Sequence, residues 1–199
     1  MKEKILNKSA ELFLEYGFKS VTMDEIATEL AVSKKTIYTY FNNKSKLVEE
    51  VSKFVTHQIH HEIDTVIAQQ LNPIDELFEI KRTVMKRLKD EKSSPQYQLE
   101  KYYPEIYQWC RKSQFNKMLD CVKDNVNRGI SGGWYRPEIH RIFTVRIYIS
   151  GMFNLKDEAF FKATDLSQKQ LYEEFLKYHM RSIVTDQGLK RLKEIEKNQ

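Results

Sequence analysis

TMDEIATELAVSKKTIYTYFNNKSKL, residues 22–47 of this 199-residue chain, holds two short amphipathic segments separated by a tripeptide. The first segment begins at Thr22, whose hydroxyl is suited to accept backbone hydrogen bonds as a helix cap. Acidic residues follow in the first turn, where the positive end of the helix dipole favours them. Ile26, Ala27 and Leu30 supply an apolar stripe at helical spacing. The pattern predicts a short helix that starts after Thr22.

The second segment predicts another short helix over residues 34–41, with Ser33 as its cap and residues 31–33 as the turn before it. Ile37 and Phe41, four residues apart, anchor one face of this helix. The outward positions are polar or aromatic, namely Lys35, Thr36, Thr39 and Tyr40. A short helix that is held from behind and polar in front suits the DNA major groove. The two segments therefore predict a helix-turn-helix.

Positive charge is concentrated locally within this region. Residues 1–50 contain eight lysines and eight acidic residues, so they are neutral as a whole. Residues 31–48 contain no acid and four lysines, Lys34, Lys35, Lys44 and Lys46. This distribution predicts a basic edge where phosphates lie. The alternative is that a helix pair with a few lysines is ordinary protein surface.

The region resembles the TetR family of bacterial transcriptional regulators. The family pattern is an apolar first helix, a Gly-Phe turn, T-x-x-x-I-A, a G-V-S turn and Y-x-Y/H-F-x-x-K-x-x-L. In this chain the pattern corresponds to residues 5–16, Gly17-Phe18, Thr22 with Ile26-Ala27, Ala31-Val32-Ser33, and Tyr38, Tyr40, Phe41, Lys44 and Leu47. The chain departs from it at Ala31, where the family usually has Gly, so we expect mild backbone strain or a slightly different turn there. The resemblance is strong over the first quarter of the chain and architectural beyond it.

The resemblance implies a homodimer that binds double-stranded DNA at a palindromic operator, with one recognition helix per half-site. It assigns phosphate contacts to Thr22, Lys34, Tyr38, Tyr40 and Lys44, and base contacts to Lys35, Thr36 and Thr39. It also implies release of the operator when a small effector binds the rest of the chain.

Composition predicts an all-α protein. The chain has only 6 Gly and 4 Pro, and each proline, at positions 73, 95, 104 and 137, is placed to begin a helix. Apolar periodicity predicts helices over residues 45–70, 73–92, 95–109, 111–128, 137–162 and 167–184, followed by a charged tail from residue 189. We expect a three-helix DNA-binding head over residues 1–45 and a helical effector-binding and dimerisation body over residues 46–199.

The body carries a second point of resemblance, a Gly-aromatic-Arg-Pro turn over residues 133–137. The resemblance makes the last two long helices a dimer surface. Apolar rows suited to it are Ile142, Val145, Ile149 and Phe153 on one helix, and Leu171, Phe175 and Tyr178 on the other. The alternative is that both rows pack inside the monomer.

Aromatic and methionine side chains are frequent in the middle of the chain. Such residues at helical spacing usually form core, but the resemblance implies an effector pocket there. The candidate lining residues are Tyr107, Phe115, Met118 and Met152. They favour a small, largely apolar or aromatic effector, because this stretch offers no clustered charge.

Two other classes of function compete with this interpretation. One is a helical protein-interaction module, and the other is a metal-dependent helical enzyme that uses His57, His60 and His61. A solvated helix face explains those histidines more simply, and no catalytic constellation is recognisable, so we predict no enzyme activity, no cofactor and no metal. Two cysteines, Cys110 and Cys121, are too few for a disulfide framework. With no signal peptide or membrane span expected, the sequence predicts a cytoplasmic protein.

Overall fold

The computed structural model describes residues 1–87, 95–155, 161 and 165–197, and this part of the chain is all-α. Its helices are α1 (Lys2–Tyr16), α2 (Met23–Glu29), α3 (Lys34–Tyr40), α4 (Lys44–Ile67), α5 (Pro73–Arg87), α6 (Pro95–Tyr102), α7 (Pro104–Ser131), α8 (Arg141–Asn154), α9 (Gln168–Ile183) and α10 (Asp186–Lys197). The predicted fold class is confirmed. Within the described ranges, no helix combines the length and the apolar character needed to cross a bilayer.

Three of the four proline positions begin helices as predicted, at the starts of α5, α6 and α7. The fourth prediction is wrong, because α8 begins at Arg141 and not at Pro137. Extended backbone at Tyr135 pairs with Val184 in an antiparallel bridge, which keeps this segment out of a helix. The ring of His140 then caps α8 by accepting the amide of Phe143 at 3.2 Å.

Two further boundaries differ from the sequence predictions. Residues 104–131 form one continuous helix, so the break predicted near residue 110 lies instead before Pro104. The predicted charged tail is helix α10, since Leu192 is fully buried on one side of it and Arg191 binds Asp75 at 3.1 Å. The predicted ends at residues 92 and 162 lie outside the described residues.

The chain divides into two compact units, one of residues 1–62 and 86–114 and the other of residues 63–85 and 115–199. In the first unit the core is formed by the three N-terminal helices together with the start of α4 and residues from α6 and α7. Its fully enclosed side chains are Ile5, Phe13, Ile26, Ile37, Phe41 and Leu47. The functional boundary at residue 45 stays a prediction, because a unit of function and a unit of packing need not end at the same residue.

The second unit combines an apolar core with a buried polar network. The Glu76 carboxylate, 1 % exposed, accepts hydrogen bonds from Asn125 at 2.8 Å and from Arg128 at 2.6 Å and 2.7 Å. The hydroxyl of fully buried Tyr135 donates to the Asn125 side chain at 2.8 Å. This network connects α5, α7 and the segment before α8.

Candidate nucleic-acid interface

The N-terminus of α2 is closed by the cap that the sequence predicts. The Thr22 hydroxyl accepts the amide of Glu25 at 3.2 Å, and the Glu25 carboxylate accepts the amide of Thr22 at 2.6 Å. This reciprocal pair satisfies two amides that the helix itself leaves without partners. Thr22 is exposed, so its side chain lies at the solvent-facing start of the helix.

The turn between α2 and α3 is left-handed at Ala31, where φ is +52°. The Val32 amide donates to the Ala27 carbonyl at 3.0 Å and holds the turn in place. A side chain at such a φ costs about 1–2 kcal/mol, because Cβ approaches the following carbonyl oxygen. The turn thus has the positive φ that glycine adopts easily. Ala31 adopts it with the backbone strain that the sequence predicts.

Replacing Ala31 with Gly is expected to raise the free energy of unfolding by about 1 kcal/mol, after the greater flexibility of glycine in the unfolded chain is subtracted. Urea denaturation followed by circular dichroism measures this difference. Gln70→Gly is the matched control, because Gln70 has a φ of +53° outside the helix-turn-helix. A loss of stability in Ala31→Gly would contradict the strain.

Helix α3 is anchored from behind, as predicted. Ile37 is fully buried, and Phe41 is 1 % exposed directly after the last turn. The Ser33 hydroxyl caps the helix by accepting the Thr36 amide at 3.1 Å, and the two hydroxyls lie 2.8 Å apart. Thr36 is therefore tied to the cap. The positions of α3 that lie exposed include Lys35, Tyr38, Thr39 and Tyr40.

Two lysines of the basic edge form ion pairs, which the composition of residues 31–48 does not indicate. Lys34 pairs with Asp24 at 2.8 Å, and Lys46 pairs with Glu49 at 3.0 Å. Both partners fall outside residues 31–48, which is why the window contained no acid. Among the described residues Lys35 has no ion-pair partner, so no acidic side chain there neutralises its charge.

Lys44 holds the loop that precedes α2. Its ammonium donates to the Lys19 carbonyl at 3.0 Å, and partial burial lowers its pKa from the ordinary lysine value. The Lys19 amide in turn donates to the Gln98 side chain at 3.0 Å. Gln98 belongs to α6, and sequence reasoning missed it because nothing local links residue 98 to residue 19.

This geometry agrees with comparison to known proteins. The model of the N-terminal domain of the bacterial regulatory proteins of the tetR family matches residues 5–51. Residues 5–51 are thereby identified as an N-terminal domain of the tetR type.

Proteins with sequences similar to this chain are named as transcriptional regulators. The uncharacterized HTH-type transcriptional regulator YhgD of Bacillus subtilis is 26% identical over 164 residues, which cover 77% of this chain and 83% of YhgD. IcaR of Staphylococcus aureus, the negative transcriptional regulator of the biofilm operon icaADBC, is 34% identical over 53 residues, 27% of this chain and 28% of IcaR. The chain is thus a transcriptional regulator of the helix-turn-helix type.

The fold extends to solved structures of low sequence identity. SmeT, the repressor of the Stenotrophomonas maltophilia multidrug efflux pump SmeDEF, superposes with a TM-score of 0.67 at 18% identity, covering 94% of this chain and 91% of SmeT. This likeness concerns the fold along most of both chains.

The residues predicted to line an effector pocket fall in different units. Tyr107 is buried in the first unit, where its hydroxyl accepts a hydrogen bond from Arg111 at 3.1 Å. Phe115, Met118 and Met152 lie half-buried against the core of the second unit. Tyr107 therefore belongs to a different packing unit from the other three predicted pocket residues.

The residues predicted for the dimer surface also separate into two groups. Val145, Ile149 and Leu171 are buried within the single chain, and Phe153 and Phe175 are half-buried. Ile142 and Tyr178 are 70 % and 72 % exposed. The three buried side chains lack the free surface that a dimer contact requires. Phe143 and Ile147 are exposed apolar neighbours on α8 that the predicted apolar rows did not include.

The histidines of α4 lie at its surface, where His57 and His61 are exposed and His60 is half-buried. The His57 ring lies edge-on to Trp109, with ring centres 6.1 Å apart. In the described ranges no three His, Cys, Asp or Glu side chains are grouped as metal ligands. Cys110 and Cys121 lie on α7, and burial raises the pKa of both thiols.

Proposed function

We propose that this regulator represses transcription by binding a palindromic operator as a homodimer and that a small effector releases it. The observation that carries the proposal is α3, which is anchored by Ile37 and Phe41 and presents Lys35, Thr39 and Tyr40 to solvent. Repression is supported by the description of IcaR as a negative regulator and of SmeT as a repressor. A protein that binds chromosomal DNA in a bacterium acts in the cytoplasm, which is therefore part of the proposal.

Contacts to the operator divide into two kinds in this proposal. Lys35, Thr36 and Thr39 read base edges, while backbone phosphates are bound by Thr22, Lys34, Tyr38, Tyr40 and Lys44. Lys34 and Lys44 are engaged within the protein, so each exchanges its partner for a phosphate. Lys35 has no such ion pair to give up, and we expect it to contribute most among the lysines of α3.

Substitutions in this region are expected to separate these two kinds of contact. Lys35→Ala should weaken binding to the selected operator by about 1–3 kcal/mol and relax the base preference at one base pair per half-site. Lys44→Ala should weaken binding to all duplexes alike. It should also reduce the slope of log affinity against log salt concentration by about one unit for each phosphate that the lysine neutralises. Selection of bound duplexes from a random pool, followed by fluorescence anisotropy across salt concentrations, measures both effects.

Lys112→Ala is the matched control, because Lys112 is an exposed lysine on α7 outside the helix-turn-helix. It should leave affinity and salt slope unchanged. If Lys35→Ala and Lys44→Ala behave like this control in dilute salt, the DNA surface is assigned wrongly. A selected sequence without two-fold symmetry would argue against the palindromic operator.

A dimer is required by the spacing of half-sites, because successive major grooves lie roughly 34 Å apart. In the second unit, Ile142, Phe143 and Ile147 of α8 and Tyr178 of α9 expose large apolar side chains. Apolar side chains that are exposed together are typical of protein–protein contacts. We propose these four residues as the centre of the dimer surface, in place of the buried members of the predicted rows.

Arg substitutions distinguish the dimer surface from the core. Ile142→Arg combined with Tyr178→Arg should give folded monomers that lose most operator affinity, because both side chains are exposed in the single chain. Ile149→Arg should instead unfold the protein, because Ile149 is only 2 % exposed. Light scattering after gel filtration, with circular dichroism on the same samples, measures both outcomes. Gln187→Arg, at an exposed position on α10, is the control, and a dimer that survives the double substitution excludes this surface.

The effector site is proposed around Phe115, Met118 and Met152. The rings of Phe115 and Phe153 lie 6.4 Å apart, and the Arg146 guanidinium lies 5.5 Å from the centre of the Phe115 ring. These side chains favour an aromatic or apolar effector. SmeT has been solved in complex with triclosan, which supports a ligand of this kind for a regulator of the same fold.

Effector control requires a difference in affinity between two conformations. We propose that the effector shifts α4, which is one helix from Lys44 to Ile67 and begins directly after the helix-turn-helix. A preference of about 2.7 kcal/mol for the conformation that does not bind DNA weakens the operator complex roughly a hundredfold.

A further inference from the structure

Tyr148 of α8 and His179 of α9 form a buried aromatic pair that the functions described so far do not use. Each residue is 5 % exposed, and the ring centres lie 4.8 Å apart. We infer that this pair is the polar end of the effector site and selects an aromatic molecule with one uncharged hydroxyl or carbonyl group. The inference rests on the proposed effector function and specifies the chemistry of its ligand.

The polar atoms of this pair have no partner in the described part of the chain. Neither the Tyr148 hydroxyl nor a His179 ring nitrogen makes a hydrogen bond there, although both residues lie among apolar neighbours. Buried hydroxyls and imidazoles are nearly always hydrogen-bonded, because an unsatisfied group loses its water without compensation. The arrangement therefore requires a partner from outside the chain.

The polar atoms of the pair are not fully enclosed by the chain. The fully enclosed side-chain polar atoms without a hydrogen bond are the hydroxyls of Ser9 and Ser52 among the residues described. The Tyr148 hydroxyl and the His179 nitrogens do not belong to that set, so each retains some accessible surface. This small accessible surface is where a partner from outside the chain can reach the two groups.

The surroundings of the pair are aromatic. The Phe175 ring stacks on Tyr148 with centres 5.8 Å apart and lies 6.3 Å from the His179 ring. On α8, Met152 follows Tyr148 by four residues, so both side chains lie on the same face of the helix. Met152 is also one of the residues of the proposed effector site. The polar pair and the apolar lining therefore adjoin.

The pair is uncharged at neutral pH. Burial lowers the pKa of His179 to about 4, and burial raises the pKa of the Tyr148 hydroxyl. A neutral imidazole offers one donor and one acceptor, and the phenol offers a donor and an acceptor as well. These groups match a ligand hydroxyl or carbonyl, whereas an ionised ligand group would lose its hydration without an opposite charge in the pair.

Matched probes test this chemistry. The full-length protein is titrated with 2-naphthol and naphthalene, and with 4-chlorophenol and chlorobenzene, by isothermal titration calorimetry. In at least one pair the phenol should bind at least tenfold more tightly than the hydrocarbon. In the Tyr148→Phe and His179→Leu double variant this preference should fall to within threefold, while affinity for the hydrocarbon is retained. Circular dichroism establishes that the variant is folded.

Tyr107→Phe serves as the control, because it removes the hydroxyl of a buried tyrosine in the first unit and should keep the full preference. Equal affinities within both pairs in the wild type, or a preference that persists in the double variant, would overturn the inference and assign the two groups to bound water. Operator release is measured separately by anisotropy. Phenols that bind with the expected preference but leave the operator bound would support this site and refute effector control.

Discussion

Replacing Arg128 with Ala is expected to lower the free energy of unfolding by about 3–5 kcal/mol, because it leaves a buried carboxylate without its cationic partner. Glu76 is 1 % exposed, and Arg128 contacts both of its oxygens, at 2.6 Å and 2.7 Å. After the substitution the Asn125 amide still donates to Glu76 at 2.8 Å, but that neutral group cannot offset the buried charge. Urea denaturation followed by circular dichroism measures the loss.

A second substitution tests whether the buried charge of Glu76 causes this loss of stability. Glu76→Gln in the Arg128→Ala background removes the charge but keeps the side-chain shape and one hydrogen-bond acceptor, so it should recover most of the lost stability. Arg82→Ala is the matched control, because Arg82 forms an exposed pair with Glu79 and should change stability by less than about 1 kcal/mol. A double variant that is less stable than Arg128→Ala alone would show that buried charge is not the cause.

Much of the head is predictable from sequence because its signals are local. The cap residues Thr22 and Ser33 bond amides three positions ahead, and the anchors Ile37 and Phe41 are one helical turn apart. Spacing within a few residues therefore determines where α2 and α3 begin and which face is buried. The same holds for the prolines that begin α5, α6 and α7.

Interactions between residues that are distant in sequence account for most of the differences between the predicted and the observed structure. Pro137 fails to begin a helix because Tyr135 pairs with Val184, nearly fifty positions later in the sequence. Lys34 is neutralised by Asp24 across the turn of the helix-turn-helix, which a count of charges in a window does not register. Gln98 positions Lys19 from another helix. None of these partners follows from local pattern.

The helical spacing of apolar residues also does not predict which of them are buried in the folded chain. The row predicted on α8 contained exposed Ile142 together with buried Ile149, although residues seven positions apart lie only about 20° apart around a helix with 3.6 residues per turn. The periodicity located α8 and α9 but not the boundary between core and surface on them. The burial of each side chain in the folded chain supplies that boundary and directs the dimer proposal to the exposed residues.

Gly129→Ala is expected to destabilise the protein by about 3 kcal/mol, although alanine is favoured over glycine inside a helix by about 1 kcal/mol. Gly129 lies in the last turns of α7, and a Cβ atom there would overlap Cδ2 of the Tyr135 ring. Tyr135 has no free space to move into, because it is fully buried and its hydroxyl donates to Asn125. The added methyl group therefore displaces the ring and breaks this buried hydrogen bond. Thermal and urea denaturation measure the loss.

A smaller residue opposite Gly129 should reverse the effect. In a Tyr135→Ala background every side-chain atom that a Cβ at position 129 would meet is absent, so Gly129→Ala should become neutral or stabilising, as helix propensity alone predicts. The coupling energy between the two positions should then be about 2–3 kcal/mol, as expected for residues in direct contact. If Gly129→Ala costs the same in both backgrounds, the ring of Tyr135 is not what requires glycine at this position, and the cost must come from the backbone of α7 itself.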